Sequence, residues 1–315
     1  MNTIPIIAVV GPTASGKTAL AIELAKRYNA EIVSCDSMQV YVGMDIATAK
    51  PTVEEMQGVT HHLISAIDRD SDFSVAMYKE LAKQAIDDIV SRQKRVILVG
   101  GTGLYAQALL DNIEFLEVPK NEELRKKLEQ RAEQEGIEVL LEELRKVDQQ
   151  TAEKLHKNNR IRIIRALELY YTSGKTMTEQ VEKSKANPSP YNVCMIGLDF
   201  KSRQKLYDKI NQRVDIMLEN GLLEETQQYL NEEHKTTANK AIGCKEMAEC
   251  LKGNVTLQEA TEKLKMETRR YAKRQLTWFR RDKRINWIFV DEDESFLDIF
   301  ANACNIIDSS KILEG

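Results

Sequence analysis

"IPIIAVVGPTASGKTALAIELAKRY", residues 4–28, carries the reading that decides the fold. Ile4–Val10 is apolar throughout and predicts a buried strand, and TALAIELAKRY (18–28) has the apolar spacing of a helix. Between them stands Gly-x-x-x-x-Gly-Lys-Thr. A loop of that spacing points successive backbone N–H groups into one concavity, above the positive end of the helix dipole. Gly11 and Gly16 supply backbone freedom, and Pro12, Thr13, Ala14 and Ser15 form the span between them. Lys17 is the point charge for a terminal phosphate, and the Thr18 hydroxyl is placed to ligate Mg2+. The expected core is therefore an α/β P-loop fold, a parallel sheet with helices on both faces, holding a polyphosphate.

A motor or signalling ATPase also needs an acid at the end of a second buried strand to help hold magnesium. The best candidate strand, in RVILVGGTGLY (95–105), ends in Gly100, Gly101, Thr102 and Gly103, with no carboxylate. The acid stands elsewhere: Asp36 follows Ile32-Val33 in AEIVSCDSMQVY (30–41). In an open parallel sheet the C-terminal strand ends share one edge, so Asp36 and Thr102 are both expected to face the phosphate loop. A carboxylate base, a hydroxyl and a bound pyrophosphate suit a transferase better than an ATPase.

Strands are predicted at Ile4–Val10, Glu31–Cys35, His62–Ile67, Arg95–Val99, Val193–Leu198 and Asn286–Val290, with helical patterns between most of them, such as 74–91. The alternation stops between about Asn112 and Tyr191. There NEELRKKLEQRAEQEG, IEVLLEELRKV and RIRIIRALELYYTSG read as amphipathic helices, opened by Pro119 and closed by the linker KANPSPY. The expected organisation is a catalytic core, 1–112 plus 192–315, with an inserted helical subdomain at 113–191.

Composition narrows the function classes. The chain has 315 residues, 42% hydrophobic and 30% charged, as an ordinary globular protein does. No stretch reaches membrane-spanning length. Cys35, Cys194, Cys244, Cys250 and Cys304 form no Cys-x-x-Cys pair and lie away from the histidines, so neither zinc nor a disulfide framework is expected. His61-His62 reads as a structural pair near a strand.

The net charge of −4 conceals an asymmetry: residues 262–284 carry ten Lys/Arg against three acids, with Tyr271, Trp278 and Phe279 interleaved. Arg269 and Lys273 share one helical face, and Arg270 and Arg274 another. Basic groups with aromatics suit a nucleic-acid backbone and its unstacked bases, and a solvated helix with core aromatics is the rival reading. A second basic surface stands in HKNNRIRIIRALELYY (156–171), where Arg162 and Arg165 face one side and Ile161, Ile164 and Leu167 another. Two separated basic surfaces favour a large folded polyanion.

The ordered set GPTASGKT, DSMQVY, MDIATAKP, HHLI, GGTGLY, NNRIRIIRALE, RVDIMLENGLLEE, AIGCKE and RRYAKRQLTWFRR, running from Gly11 to Arg281, resembles the tRNA dimethylallyltransferases, also called tRNA isopentenyltransferases. The resemblance implies transfer of a dimethylallyl group from its diphosphate to the exocyclic amine of the adenosine 3′ of the anticodon, in tRNAs reading codons that begin with U. The loop would then hold an isoprenoid diphosphate despite its nucleotide-binding, ATP-type pattern. Asp36 would be the base, and Lys17, Mg2+ near Thr18 and Arg213 would stabilise the departing diphosphate. Ser37, Met38 and Gln39 resemble the adenosine-contacting segment. Thr102, Arg125 and the run Ile161, Arg162, Ile163, Ile164, Arg165 would touch tRNA, and Lys245, Arg269, Arg270, Lys273 and Arg274 would hold its backbone.

The chain departs from the family pattern at Val42 (a basic residue is usual), Ala47 (Gly), Ser65 (Asp) and Cys244 (Tyr). It lacks the zinc-finger extension of eukaryotic relatives, which implies a bacterial-type cytoplasmic enzyme, expected to act as a monomer. A small-molecule kinase, a prenyltransferase of free adenine nucleotides and a non-catalytic RNA-binding protein stay open as alternatives, separated by whether ATP or dimethylallyl diphosphate is consumed and whether RNA is required.

Overall fold

The computed structural model describes residues 3–115, 121–231, 241–292 and 295–314. The chain divides into two compact units, Met1–Leu110 with Pro190–Gly315, and Asp111–Ser189.

In the first unit, β1 (Ile4–Val10), β2 (Ala30–Ser34), β3 (His61–His62), β4 (Arg95–Gly100), β5 (Tyr191–Asp199) and β6 (Ile285–Phe289) form one sheet of order β3-β2-β4-β1-β5-β6. Every pairing is parallel. β1 needs its unbroken apolar run because both faces are covered. Ile6, Ala8 and Val10 enter one core with Tyr78, Ala82 and Ile86 of the helix Val75–Ser91. Ile7 and Val9 enter the other, against Leu20 and Leu24 of the helix Lys17–Tyr28 and Ile307 of the helix Phe296–Ser310. The strand ends are level: Val10 lies opposite Gly100 and Gly197, and Ser34 opposite Val99. That register brings the loops after β1, β2 and β4 to one edge.

The predicted strand His62–Ile67 is reduced to His61–His62, with a single further bridge between Tyr41 and Ile67. Leu63 and Ser65 adopt φ of 63° and 47°, in the left-handed region, which breaks the extended ladder. His62 Nε2 bonds Glu31 at 2.7 Å and His61 Nδ1 bonds the Val59 carbonyl, a structural pair as read from sequence.

The second unit is helical among its described residues, with helices at Glu122–Gln134, Ile137–Val147, Gln149–Lys154, Arg160–Ser173 and Met177–Ala186. It has its own core of Leu128, Leu140, Leu144, Ile163, Ile164 and Leu167. Asp148 fastens it, accepting the N–H groups of Thr151 and Thr178. Pro119, read as the opening of this stretch, lies outside the described residues. Among the described residues no helix is long and apolar enough to cross a membrane, and no cluster of His, Cys, Asp and Glu could hold a metal ion.

Candidate active site

Gly16 is the N-cap of the helix Lys17–Tyr28 at φ 83°, a conformation that a side chain would strain. The first turn has no side-chain cap and no acidic residue, so its N–H groups and positive dipole end are left for an anion. Thr13, Ala14, Gly16, Lys17 and Thr18 line two cavities, whereas Gly11, Pro12 and Ser15 are buried behind them. Lys17 Nζ donates to the Pro12 carbonyl at 3.0 Å, which folds it back over the loop.

One cavity, of about 350 Å³, runs from the phosphate loop to the segment after β2 and is lined by Lys17, Thr18, Asp36, Ser37, Met38, Gln39 and Arg213. Val214, Met217, Ile242 and Leu264 add apolar wall. The second, of about 640 Å³, shares Lys17, Thr18 and Arg213 with it. Cations and hydroxyls of the phosphate loop thus stand beside apolar side chains on the wall of the same cavity.

Asp36 Oδ1 accepts the N–H groups of Met38 at 2.9 Å and Gln39 at 3.3 Å. Oδ2 takes no hydrogen bond among the described residues. The carboxylate thus caps its turn with one oxygen only. Thr102 Oγ1 accepts the Ser37 N–H at 3.1 Å, and the Thr102 N–H donates to the Cys35 carbonyl, so the loops after β2 and β4 are laced together. Gln39 lines the same cavity, and its Nε2 donates to the carbonyls of Thr48 and Ala49.

Arg213, on the helix Arg203–Glu219, donates to the Ala49 carbonyl at 3.3 Å. It makes no ion pair among the described residues, and the nearby Asp215 pairs with Lys265 at 2.7 Å instead. Desolvation lowers the Arg213 pKa and Asp36 opposes that shift. Desolvation first, then the Arg213 charge, bring Lys17 down to about 8, against Asp36 and Cys35. Two desolvated cations that share the field of Asp36 but make no ion pair among the described residues suit a multivalent anion. Burial and Asp36 push the Tyr271 phenol up, with the Thr102 hydroxyl opposing.

Three contributors lie inside the motifs RVDIMLENGLLEE and RRYAKRQLTWFRR, but the sequence reading assigns them no role. Tyr271, noted only as an aromatic among basic residues, lines the 350 Å³ cavity. Glu225 gathers the N–H groups of Asp45, Ile46 and Ala47, each at 2.8 Å, and so fixes the loop whose Ala49 carbonyl receives Gln39 and Arg213. Gln275 bridges the loops after β1 and β4. Among the departures from the family pattern, Val42 is exposed, Ala47 and Cys244 are buried in the core, and the Ser65 hydroxyl accepts from Lys50 at 3.0 Å.

The residues expected to touch tRNA fall into several environments. In the second unit Ile161 is 83% exposed and Arg162 is exposed, but Ile163 and Ile164 are core residues, which removes their side chains from any contact with RNA. Ile161 is also not on the apolar face; the core face begins two residues later. Arg125 and Arg165 both reach Glu168, itself fully buried, at 2.7 and 3.0 Å. In the first unit Lys245, Arg270, Lys273 and Arg274 are exposed, while Arg269 donates to Asn211 at 2.6 Å. Arg274 stacks over Tyr271 at 5.8 Å and rims the cavity. Phe279 is a core residue, as the solvated-helix reading had it.

The comparisons with known proteins agree with this geometry. The sequence pattern of the IPP transferase family matches residues 39–282. A tRNA dimethylallyltransferase of Acetivibrio thermocellus is 48% identical over 94% of this chain and 95% of its own length. The crystal structure of a full-length tRNA isopentenylpyrophosphate transferase of Bacillus halodurans superposes with a TM-score of 0.71 at 43% identity, covering 98% of this chain and 99% of that one. A eukaryotic dimethylallyltransferase acting on tRNA superposes with a TM-score of 0.80 at 29% identity, over 99% and 80% of the two chains. With a diphosphate-type loop, a carboxylate facing it and near full-length likeness to these enzymes, the chain belongs to the IPP transferase family, the tRNA dimethylallyltransferases.

Proposed function

We propose that this chain transfers a dimethylallyl group from dimethylallyl diphosphate to the exocyclic amine of the adenosine 3′ of the anticodon, in tRNAs that read codons beginning with U. One observation carries the reading: Lys17, Thr18 and Arg213 at one end of a cavity and the Asp36 carboxylate on its wall. The carbon–oxygen bond to diphosphate breaks as the amine nitrogen forms a bond to the same allylic carbon. The amine proton goes to Asp36, a role worth about 10²- to 10⁴-fold in rate. Lys17, Arg213 and the open N–H groups of the helix Lys17–Tyr28 meet the charge that grows on the departing diphosphate. A base stacked in an anticodon loop cannot reach Asp36 and has to flip out.

Mg2+ fits the donor set. The described linings of both cavities offer hydroxyls and carboxylates but no thiol or imidazole, as a hard cation prefers. The Thr18 hydroxyl, together with diphosphate oxygens, would hold it. When bound, it supplies charge neutralisation for the leaving group. The basic segment 262–284 supports tRNA as the acceptor, and in the other unit Arg162 is exposed while Arg125 and Arg165, two cations on the one carboxylate of Glu168, leave positive charge in excess. Five free cysteines suit a reducing compartment, and action as a cytoplasmic monomer is part of the reading.

The test is product release. Diphosphate should appear from dimethylallyl diphosphate only when tRNA is present, and ATP should yield no phosphate. ATP consumption without prenyl transfer would return the loop to a kinase.

A further inference from the structure

We infer that Gln275 is a positioning residue that sets the phosphate loop against the loop that holds the base. It stands on the helix Leu257–Phe279, inside the basic segment, yet it is 5% exposed. Both ends of its amide are engaged, each by a different catalytic loop: Oε1 accepts the Thr13 N–H at 2.9 Å, and Nε2 donates to the Gly101 carbonyl at 3.0 Å. The residue after Gly101 is Thr102, which takes the Ser37 N–H, and Ser37 follows Asp36. Hydrogen bonds and short chain links therefore join the diphosphate side of the cavity to the base side, and beyond the β1–β4 pairing it is the Gln275 side chain that ties the two loops together. The fit is close: a Cβ added at Gly101 would stand 2.0 Å from Gln275 Nε2. Nucleophile and leaving group belong to different substrates, so the separation of these loops fixes the line of attack. A misplacement of about 1 Å can cost about 10²-fold in rate.

The role requires both a donor and an acceptor at the end of a side chain of this length. Methionine fills the space and provides neither hydrogen bond, and glutamate keeps the acceptor but donates only when protonated.

The inference rests on the transfer reaction proposed above, so the parent enzyme is assayed beside the variants. Prenylation of tRNA, tRNA binding and thermal unfolding are measured for the parent, Gln275→Met and Gln275→Glu. Gln275→Met should lower kcat about 10- to 100-fold with both substrates saturating, while tRNA Kd stays within about twofold. The Gln275→Glu to parent activity ratio should fall as pH rises, because the donor to Gly101 is lost with the proton. If Gln275→Met folds poorly, this ratio remains the deciding readout. A folded Gln275→Met with unchanged kcat, or a ratio independent of pH, would overturn the inference. A parent that makes no prenylated tRNA would instead overturn the proposed reaction.

Discussion

Asp36 Oδ1 accepts the backbone N–H of Met38 at 2.9 Å, so the carboxylate that faces the phosphate loop is also the brace of its own turn. Substitutions can separate the two duties. Asn keeps the accepting oxygen and loses the base, whereas Ala loses both. Asp36→Asn should lower kcat by about 10²- to 10⁴-fold with unchanged thermal unfolding and tRNA affinity. Asp36→Ala should match that loss and also melt lower. Single-turnover rates beside calorimetry check both, and an active Asp36→Asn would remove Asp36 as the base.

The lowered pKa of Lys17 predicts a pH limb. The protonated amine is the form that attracts diphosphate, and its pKa in the free protein is about 8. kcat/KM for dimethylallyl diphosphate should therefore fall as pH rises through about 8, since that ratio reports free-enzyme ionisations. The limb should lie higher in kcat, because bound diphosphate favours the charged amine. Lys17→Arg, charged throughout, should lose the limb while keeping little activity. Initial-rate profiles over this range supply the check.

Glu225 predicts an effect at a distance from the chemistry. It holds the N–H groups of Asp45, Ile46 and Ala47, and the same loop presents the Ala49 carbonyl to Gln39 and Arg213. Losing a hydrogen bond to a charged group costs about 1.5–3 kcal/mol. Glu225→Ala should lower thermal stability and raise KM for dimethylallyl diphosphate several-fold as Arg213 loses its support. Glu225→Gln, which still accepts, should fall between Ala and the parent. An unaltered KM in Glu225→Ala would show that the loop needs no such anchor.

Lys273 and Arg274 are exposed on the helix Leu257–Phe279. If they hold RNA phosphates, removing either charge should weaken tRNA binding and reduce the slope of log K against log salt by about one contact. Arg270 is a less sensitive probe, because it pairs with Glu267 at 2.7 Å. Binding titrations across salt concentrations test this, and a slope identical to the parent's would clear the segment of the role.

What could be read from sequence follows how local the physics is. β1, the phosphate loop and the helix Lys17–Tyr28 are specified by neighbours within one strand–loop–helix unit, and their residues fall where the pattern puts them. Asp36 and Thr102 reach the same edge because the parallel sheet obliges level strand ends to share it. β3 is shorter than its apolar spacing predicts, because the left-handed φ at Leu63 and Ser65 is not written in that spacing. Within the run Ile161–Arg165 the apolar spacing does not say which residues pack: the helix starts at Arg160, and its first turn leaves Ile161 in solvent while Ile163 and Ile164 enter the core. The roles of Glu225 and Gln275 are not legible in their motifs for a different reason. Their partners lie 178 to 180 and 174 to 262 positions away along the chain, and only the fold brings them together.

The most direct test of the central claim is a mass spectrum of an unmodified anticodon stem-loop incubated with the protein, Mg2+ and dimethylallyl diphosphate, beside a reaction given ATP alone. One five-carbon unit should be added, mapped to the exocyclic amine of the adenosine 3′ of the anticodon, with no change in the ATP reaction. An unmodified RNA with ATP consumed would contradict it.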